Sequence, residues 1–217
     1  MKDGNAKRSP KTRRRDAERS RKLILQAALE EFSTHGHSGA RIDRIAQAAG
    51  ISKPMIYDYF GDKDAVYAAA LTEAYVQIRE GEQHLALDAL APDDAIRALV
   101  RFTTHHFREK PWFITMLNTE NLRGGETIRR IHDAAGVQSV LVKQLDVLLR
   151  RGVAAGSFRD GLDPREVYVF IASLCWFPVS NVHTLRAVFQ LPIDDDWLDR
   201  QAEEASDMIL LWLRPRT

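Results

Sequence analysis

At 217 residues, 45% hydrophobic and 28% charged, the chain has room for a small module and one larger core, hence one or two domains. It contains no run of about 18 apolar residues and no apolar segment behind its basic start, so neither a membrane span nor a secretory signal is expected, and a cytoplasmic protein is. The net charge of +1 conceals two unlike parts: residues 1–63 hold 14 basic against 8 acidic side chains, the remainder 17 against 22, and the positive part is where a polyanion would be met.

In chain order, the first 22 residues carry 10 basic and 3 acidic side chains with no apolar periodicity. Such a segment is expected to stay disordered until it meets a polyanion, and residues 1–16 are read as a basic arm. Within it Arg13, Arg14 and Arg15 are placed in a neighbouring minor groove or on phosphates, against the plainer reading of a solvated tail. A helix follows, with Ile24, Leu25, Ala28, Leu29 and Phe32 on one stripe and Gly36 as its stop. Next, IDRIAQAAG repeats apolar residues at Ile42, Ile45, Ala46 and Ala49, one face of a short helix ended by Gly50. Ser52 is the candidate N-cap of a second short helix that tolerates Pro54 in its first turn. In that helix only Ile56 and Phe60 read as core anchors, which leaves Lys53, Pro54, Met55, Tyr57, Asp58 and Tyr59 facing elsewhere. Two short helices around a sharp break read as a helix-turn-helix, whose second helix enters the DNA major groove. Asp62 then caps a long helix from Lys63 to about residue 85, with Val66, Tyr67, Ala70, Leu71, Ala74, Tyr75 and Ile78 in register.

From Arg21 to Leu71 this arrangement resembles the TetR family of bacterial one-component transcriptional regulators. The matching residues are the Phe32 to Gly36 helix end, Ile42-x-x-Ile45-Ala46, Ala49-Gly50-Ile51-Ser52, Ile56-Tyr57-x-Tyr59-Phe60 and Lys63. By resemblance, Tyr57, Tyr59 and Lys63 hold phosphates, while Lys53, Pro54 and Met55, with Asp43 or Arg44, face base edges; Lys53 suits guanine acceptors and Met55 a thymine methyl. Ser52 is counted with this DNA-binding set. Two positions depart from the family pattern. Ala40 and Arg41 stand where a hydroxyl usually caps the first helix of the motif and touches phosphate; Ser38 or Gly39 would substitute less well, at a cost of about 1 kcal/mol, and Arg41 would supply a longer, charged contact.

Beyond Pro92, helices are expected near 93–109, 111–121, 126–151, 164–180 and 195–213, with a further turn over 183–190. Asp163-Pro164-Arg165-Glu166 combines an N-cap, a first-position proline and a glutamate that can bond back. Cys175, alone in the run SLCWF, cannot form an internal disulfide and reads as a small buried side chain. The helix from Val167 is apolar almost all round, and the last helix carries Leu198, Ala202, Ala205, Ile209 and Trp212 on a stripe. Members of the family dimerise through their last two long helices, so the resemblance implies a homodimer with recognition helices roughly 34–36 Å apart on a near-palindromic operator.

The whole is therefore expected to be all-α, with a basic arm (1–16), a three-helix helix-turn-helix DNA-binding domain (17–63) and a larger helical ligand-binding and dimerisation domain (64–217). In the last, Trp112, Phe113 and Met116 lie beside Asn118, Glu120 and Asn121, and with His105, Trp176, Phe177 and Asn181 they are candidates for a mostly apolar pocket taking a small organic effector with one polar end. Each taken singly reads as core or cap. The expected function is a repressor released by that effector. An all-helical small-molecule carrier or interaction protein with a vestigial DNA module is the alternative, supported by the departures at Ala40 and Arg41. Neither a catalytic constellation nor a cofactor motif is found: the seven histidines form no H-E-x-x-H, the adjacent His105 and His106 diverge by about 100° on a helix, and no phosphate loop or cysteine cluster occurs, so no enzyme and no metal are expected.

Overall fold

Ten α-helices and one 3-10 turn make up the regular structure of the described residues, with no strand among them. The computed structural model describes residues 10–131 and 134–216, and side chains within 14–131 and 140–216. In chain order the helices are α1 Pro10–Gly39, α2 Ile42–Ala49, α3 Lys53–Phe60, α4 Lys63–Gln83, α5 Pro92–Glu109, α6 Pro111–Leu122, α7 Ala134–Ala154, α8 Pro164–Ser180, α9 Val182–Phe189 and α10 Asp195–Leu213. They form two compact units, one built from the chain up to Ala74 with Thr115–Ile131, the other from Tyr75–Ile114 with the residues after 131.

In the first unit the stripe Ile24, Leu25, Ala28, Leu29 and Phe32 is buried, as are Ile42, Ile45, Ala46 and Ala49 of α2, Ile56 of α3 and Val66 and Tyr67 of α4. Tyr67 meets the edge of Phe32 at 4.9 Å. Burying such side chains stabilises by about 1.5–3 kcal/mol each, so this apolar centre holds the short helices, which are too brief to persist alone. Gly50 ends α2 in the left-handed region (φ 65), and Ile51 N–H reaches back to Ala46 C=O at 3.0 Å. Asp62 accepts from Ala65 N–H at 2.8 Å and starts α4.

Several local expectations are revised. Helix α1 begins at Pro10, so residues 10–16, expected in a disordered arm, are helical; residues 1–9 and the Arg13 side chain lie outside what is described. Gly36, at φ 63 and ψ 176, ends the regular helix as expected, and the segment continues beyond it as one further turn to Gly39, with Ala40 N–H donating to Gly36 C=O. The helix expected over 126–151 is a 3-10 turn, Ile128–Arg130, followed by α7. The amides of Thr127 and Ile128 are taken by the Glu120 carboxylate at 2.6 and 2.9 Å. Residues 182–189 form a full helix, and α9 turns 66° from α8.

In the second unit α5 buries Ala95, Ile96, Leu99, Val100, Thr103 and Phe107. It packs against α10 and α8, which turn inward Leu198, Ala202, Ala205 and Ile209, and Val167, Ile171 and Cys175. Asp163 caps α8 by accepting from Arg165 N–H at 2.8 Å. Along the rim of α5 and α10, Arg97–Asp207 (2.5 Å), Arg101–Glu203 (3.1 Å) and Arg108–Asp199 (3.0 Å) form a ladder of ion pairs. Each is open to water and adds about 0–1 kcal/mol, so the apolar stripe beneath decides the packing and the ladder sets its register. Cys175 is buried with its thiol 3.6 Å from Val100 C=O, and burial pushes the thiol up to about 11, which leaves it protonated and inert.

Candidate functional site

Helix α3 has one fully buried side chain, Ile56. Around it Ser52, Lys53, Pro54, Met55, Tyr57 and Asp58 are exposed, with Met55 and Tyr57 near 40%, while Tyr59 and Phe60 are half-buried. A helix pinned at one point and bare on the rest of its circumference can enter a groove without unfolding its neighbours. Ser52 occupies the N-cap position in extended geometry, but its hydroxyl makes no capping bond, which leaves that hydroxyl available to phosphate. The far end of α3 is held by Arg21 of α1, whose guanidinium lies 4.5 Å over the Phe60 ring and donates to Tyr59 C=O at 3.5 Å.

The cations around this helix divide into committed and displaceable ones. Arg44, although exposed, is engaged by its own unit: its Nε donates to Glu31 at 2.7 Å and its Nη2 to Gly39 C=O at 2.8 Å, so it braces α1 on α2. Glu31, only 9% exposed, also accepts from Arg41 N–H at 2.8 Å. That bond ties the N-cap residue Arg41 to α1 but leaves the first amides of α2 without a side-chain cap, from Arg41, Ser38 or Gly39 alike. Asp43 lies between two exposed cations, 2.9 Å from Lys53 and 3.6 Å from Arg41. The Lys53 ammonium beside it draws its carboxyl below the ordinary value, and Lys53 rises in return. Lys63 donates to Ser38 C=O at 3.4 Å. Arg14 pairs with Glu18 at 3.1 Å, and Arg15 is exposed. His37, 2.8 Å from Asp64 and edge-on to Tyr67, is shifted down chiefly by burial and so is neutral at pH 7.

In the second unit the candidates Trp112, Phe113 and Trp176 belong to one aromatic wall. Phe113 stacks on Phe107 at 5.9 Å and meets Trp112 at 6.1 Å and Tyr75 at 6.1 Å; Phe107 meets Trp176 at 5.5 Å. His106 lies 5.3 Å from Phe113, buried and lowered to about 4 by desolvation, hence neutral. Nearby on α4, Arg79 Nη1 donates to Glu82 at 2.6 Å and Nη2 to the Tyr168 hydroxyl at 2.7 Å. Burial outweighs the arginine and raises Glu82 to about 7. Arg79, Glu82, His106 and Tyr168 were invisible to pattern reading. The only signal was a charged pair three residues apart beside the buried Ile78.

The other candidates make different contacts. His105 is exposed and accepts from Arg108 at 3.1 Å, Phe177 is 57% exposed, and Asn181 donates to Phe177 C=O at 3.1 Å. Met116, Asn118, Glu120 and Asn121 belong to the first unit: Met116 is fully buried, Asn118 is half-buried, Asn121 donates to Leu117 C=O, and Glu120 is occupied by the two amides described above.

One face of α8 and α10 remains uncovered. Val169, Phe170, Met208 and Leu211 are exposed, Leu211 by 77%, and a cavity of about 330 Å³ lies between Phe170, Ser173, Leu174, Met208, Ile209 and Trp212. Its lining is almost wholly apolar, which is a costly surface to leave in water. No single helix among the described residues is long and apolar enough to cross a membrane.

Comparison with known proteins agrees with this architecture. Residues 24–70 match the model described as bacterial regulatory proteins, tetR family, and residues 92–209 match the tetracyclin repressor-like C-terminal domain. The chain is 36% identical over 191 residues to the HTH-type transcriptional repressor NicS of Pseudomonas putida, covering 86% of this chain and 90% of that one. It is 26% identical over 205 residues to the HTH-type transcriptional regulator RutR of Escherichia coli, covering 94% and 95%. Among solved structures, the fatty acid degradation regulator FadR of Bacillus halodurans superposes with a TM-score of 0.68 at 22% identity, over 97% of this chain and all of the other. The TetR family regulator PfmR of Thermus thermophilus does so with 0.63 at 23%, over 87% and 97%. At those identities the two structures show the shared fold.

Proposed function

Because the chain belongs to the TetR family of bacterial regulatory proteins, we propose that it is a cytoplasmic transcriptional repressor that binds a near-palindromic operator as a homodimer and leaves it when a small organic effector binds. The observation that carries this reading is the exposure of α3 around the single anchor Ile56. Lys53, Pro54 and Met55 face base edges, and Ser52, Tyr57, Tyr59, Lys63 and Arg41 take phosphates. Asp43 sits among them and must find a donor on the duplex or repel it. Arg44 acts from behind, holding α2 in place through Glu31. Arg14 and Arg15, on the first turns of α1, extend the contact along the backbone of the DNA, and Arg13 is assigned with them.

The second chain covers the bare face of α8 and α10, with Phe170, Met208 and Leu211 at its centre. Two-fold pairing there sets the recognition helices roughly 34–36 Å apart, one turn of DNA. The effector binds against Trp112, Phe113 and Trp176, and its preference for one arrangement of the dimer changes that spacing.

Selection of bound fragments from genomic DNA, followed by titration at several salt concentrations, tests the reading. A recovered palindrome bound two chains at a time, with affinity falling steeply as salt rises, is expected. Indifference to every duplex, or equal affinity for all, overturns it. Leu211→Glu is expected to yield monomers with weakened operator binding; an intact dimer with this variant overturns the assigned interface.

A further inference from the structure

The aromatic wall runs into a cluster of ionisable groups that DNA binding does not use. Arg79, Glu82 and His106 are 5%, 1% and 5% exposed. The arginine and glutamate are joined on one side only, Nη1 to Oε2, while Nη2 is held by Tyr168. Arg79 Nε, which can only donate, Glu82 Oε1, which as a carboxylate can only accept, and His106 Nε2 have no hydrogen-bond partner. A buried polar atom left unpaired costs about 1–3 kcal/mol, and three of those in this unit fall on Arg79, its ion-pair partner Glu82 and His106. His106 belongs to both sets, since its ring lies 5.3 Å from Phe113 and 5.7 Å from Phe102.

We propose that Arg79, Glu82 and His106 hold the polar edge of a flat aromatic amide, whose carbonyl oxygen accepts from Arg79 Nε–H and whose N–H donates to Glu82 Oε1 while its ring lies against Phe107, Phe113 and Trp176. The assignment rests on the effector pocket proposed above and adds the chemistry of its polar end. An amide matches because it carries both an acceptor and a donor, one for each of these two unpaired atoms. A carboxylate matches poorly: it offers no donor, and Glu82 already occupies the arginine with negative charge. His106 Nε2, neutral and able to donate or accept, suits a further polar substituent on the ring.

The test uses the full chain and three probes of one shape, benzamide, benzoate and toluene, followed by ligand-observed NMR and titration calorimetry. Benzamide is expected to bind at least about tenfold tighter than either of the others, as sites with buried polar groups reject analogues that leave them unpaired. Glu82→Gln removes the negative charge beside Arg79 and is expected to turn the preference toward benzoate. Equal binding of the three, a preference of the unaltered protein for benzoate, or an unchanged ratio in Glu82→Gln overturns the proposal. Toluene binding that Trp176→Ala abolishes, without any preference for benzamide, removes the polar anchor and leaves the aromatic pocket standing. If none of the three binds, both fall and the unpaired atoms are satisfied by water. The comparison of probes on the unaltered protein decides the matter even where a variant does not fold.

Discussion

Two buried glutamates, Glu31 and Glu82, serve their helices differently. In the DNA-facing unit Glu31 Oε1 accepts from both Arg41 N–H and Arg44 Nε, with His35 3.7 Å from Oε2. In the other unit Glu82 has one oxygen on Arg79 and one on nothing. The first carboxylate fixes a scaffold so that exposed side chains can meet DNA. The second is buried beside Arg79, with its ionisation opposed by burial. The first carboxylate joins two helices and the second holds a single arginine of its own helix, while Glu120 of the first unit also keeps one oxygen unpaired.

The largest test of this contrast removes the single anchor of α3. Ile56→Ala is expected to destabilise the first unit by about 3–4 kcal/mol, measured by denaturant unfolding, because α3 has no other fully buried side chain to collapse onto. A loss under about 1 kcal/mol would show that α3 is held from elsewhere.

The next concerns pH in the second unit. Glu82 is raised from 4.5 to about 7, so its contribution to stability is complete below 4.5 and lost as pH rises to 7. His106 is lowered from 6.5 to about 4, so its contribution is complete above 6.5 and lost as pH falls to 4. The two slopes oppose each other between about 4.5 and 6.5, each amounting to at most about 3 kcal/mol. Glu82→Gln is expected to expose the histidine slope, with stability rising from pH 4.5 to 6.5. His106→Asn should expose the glutamate slope, with stability falling over the same range. Urea midpoints of the three proteins against pH check both signs.

A smaller effect is expected at Glu31. Glu31→Ala removes the acceptor of Arg41 N–H and frees Arg44, at about 2 kcal/mol by thermal unfolding, with operator affinity reduced alongside. If operator affinity were unchanged while stability fell, the scaffold role would be separate from reading. Least is expected of Lys53→Ala, with stability within about 0.5 kcal/mol of the parent, since the side chain is exposed and paired only with Asp43. Its operator affinity should nonetheless drop about tenfold, and a flattened salt dependence would reassign Lys53 from base edge to phosphate.

Much of the DNA-facing unit was legible before any coordinates. Ile42, Ile45, Ala46 and Ala49 recur at helical spacing because one face must be buried, and Gly50 announces the left-handed stop that a Cβ would penalise. Asp62 and Asp163 cap as their local chemistry suggested. The bracing role of Arg44 was not legible, because its partner Glu31 lies 13 residues away on another helix, a separation no periodicity encodes. The proposed effector pocket was legible only as an aromatic tendency. Trp112, Phe113 and Trp176 stood out by type, while Arg79, Glu82 and His106 looked like ordinary polar positions of amphipathic helices.

Local order, then, was written in the chain itself: where helices start and stop, which stripes turn inward, and which short helix stays bare, since capping, periodicity and backbone preference act over a few residues. Which charges are spent and which are left unpaired was decided only when α4, α5 and α8 came together, because desolvation and hydrogen-bond pairing depend on neighbours that are distant along the chain and close in space.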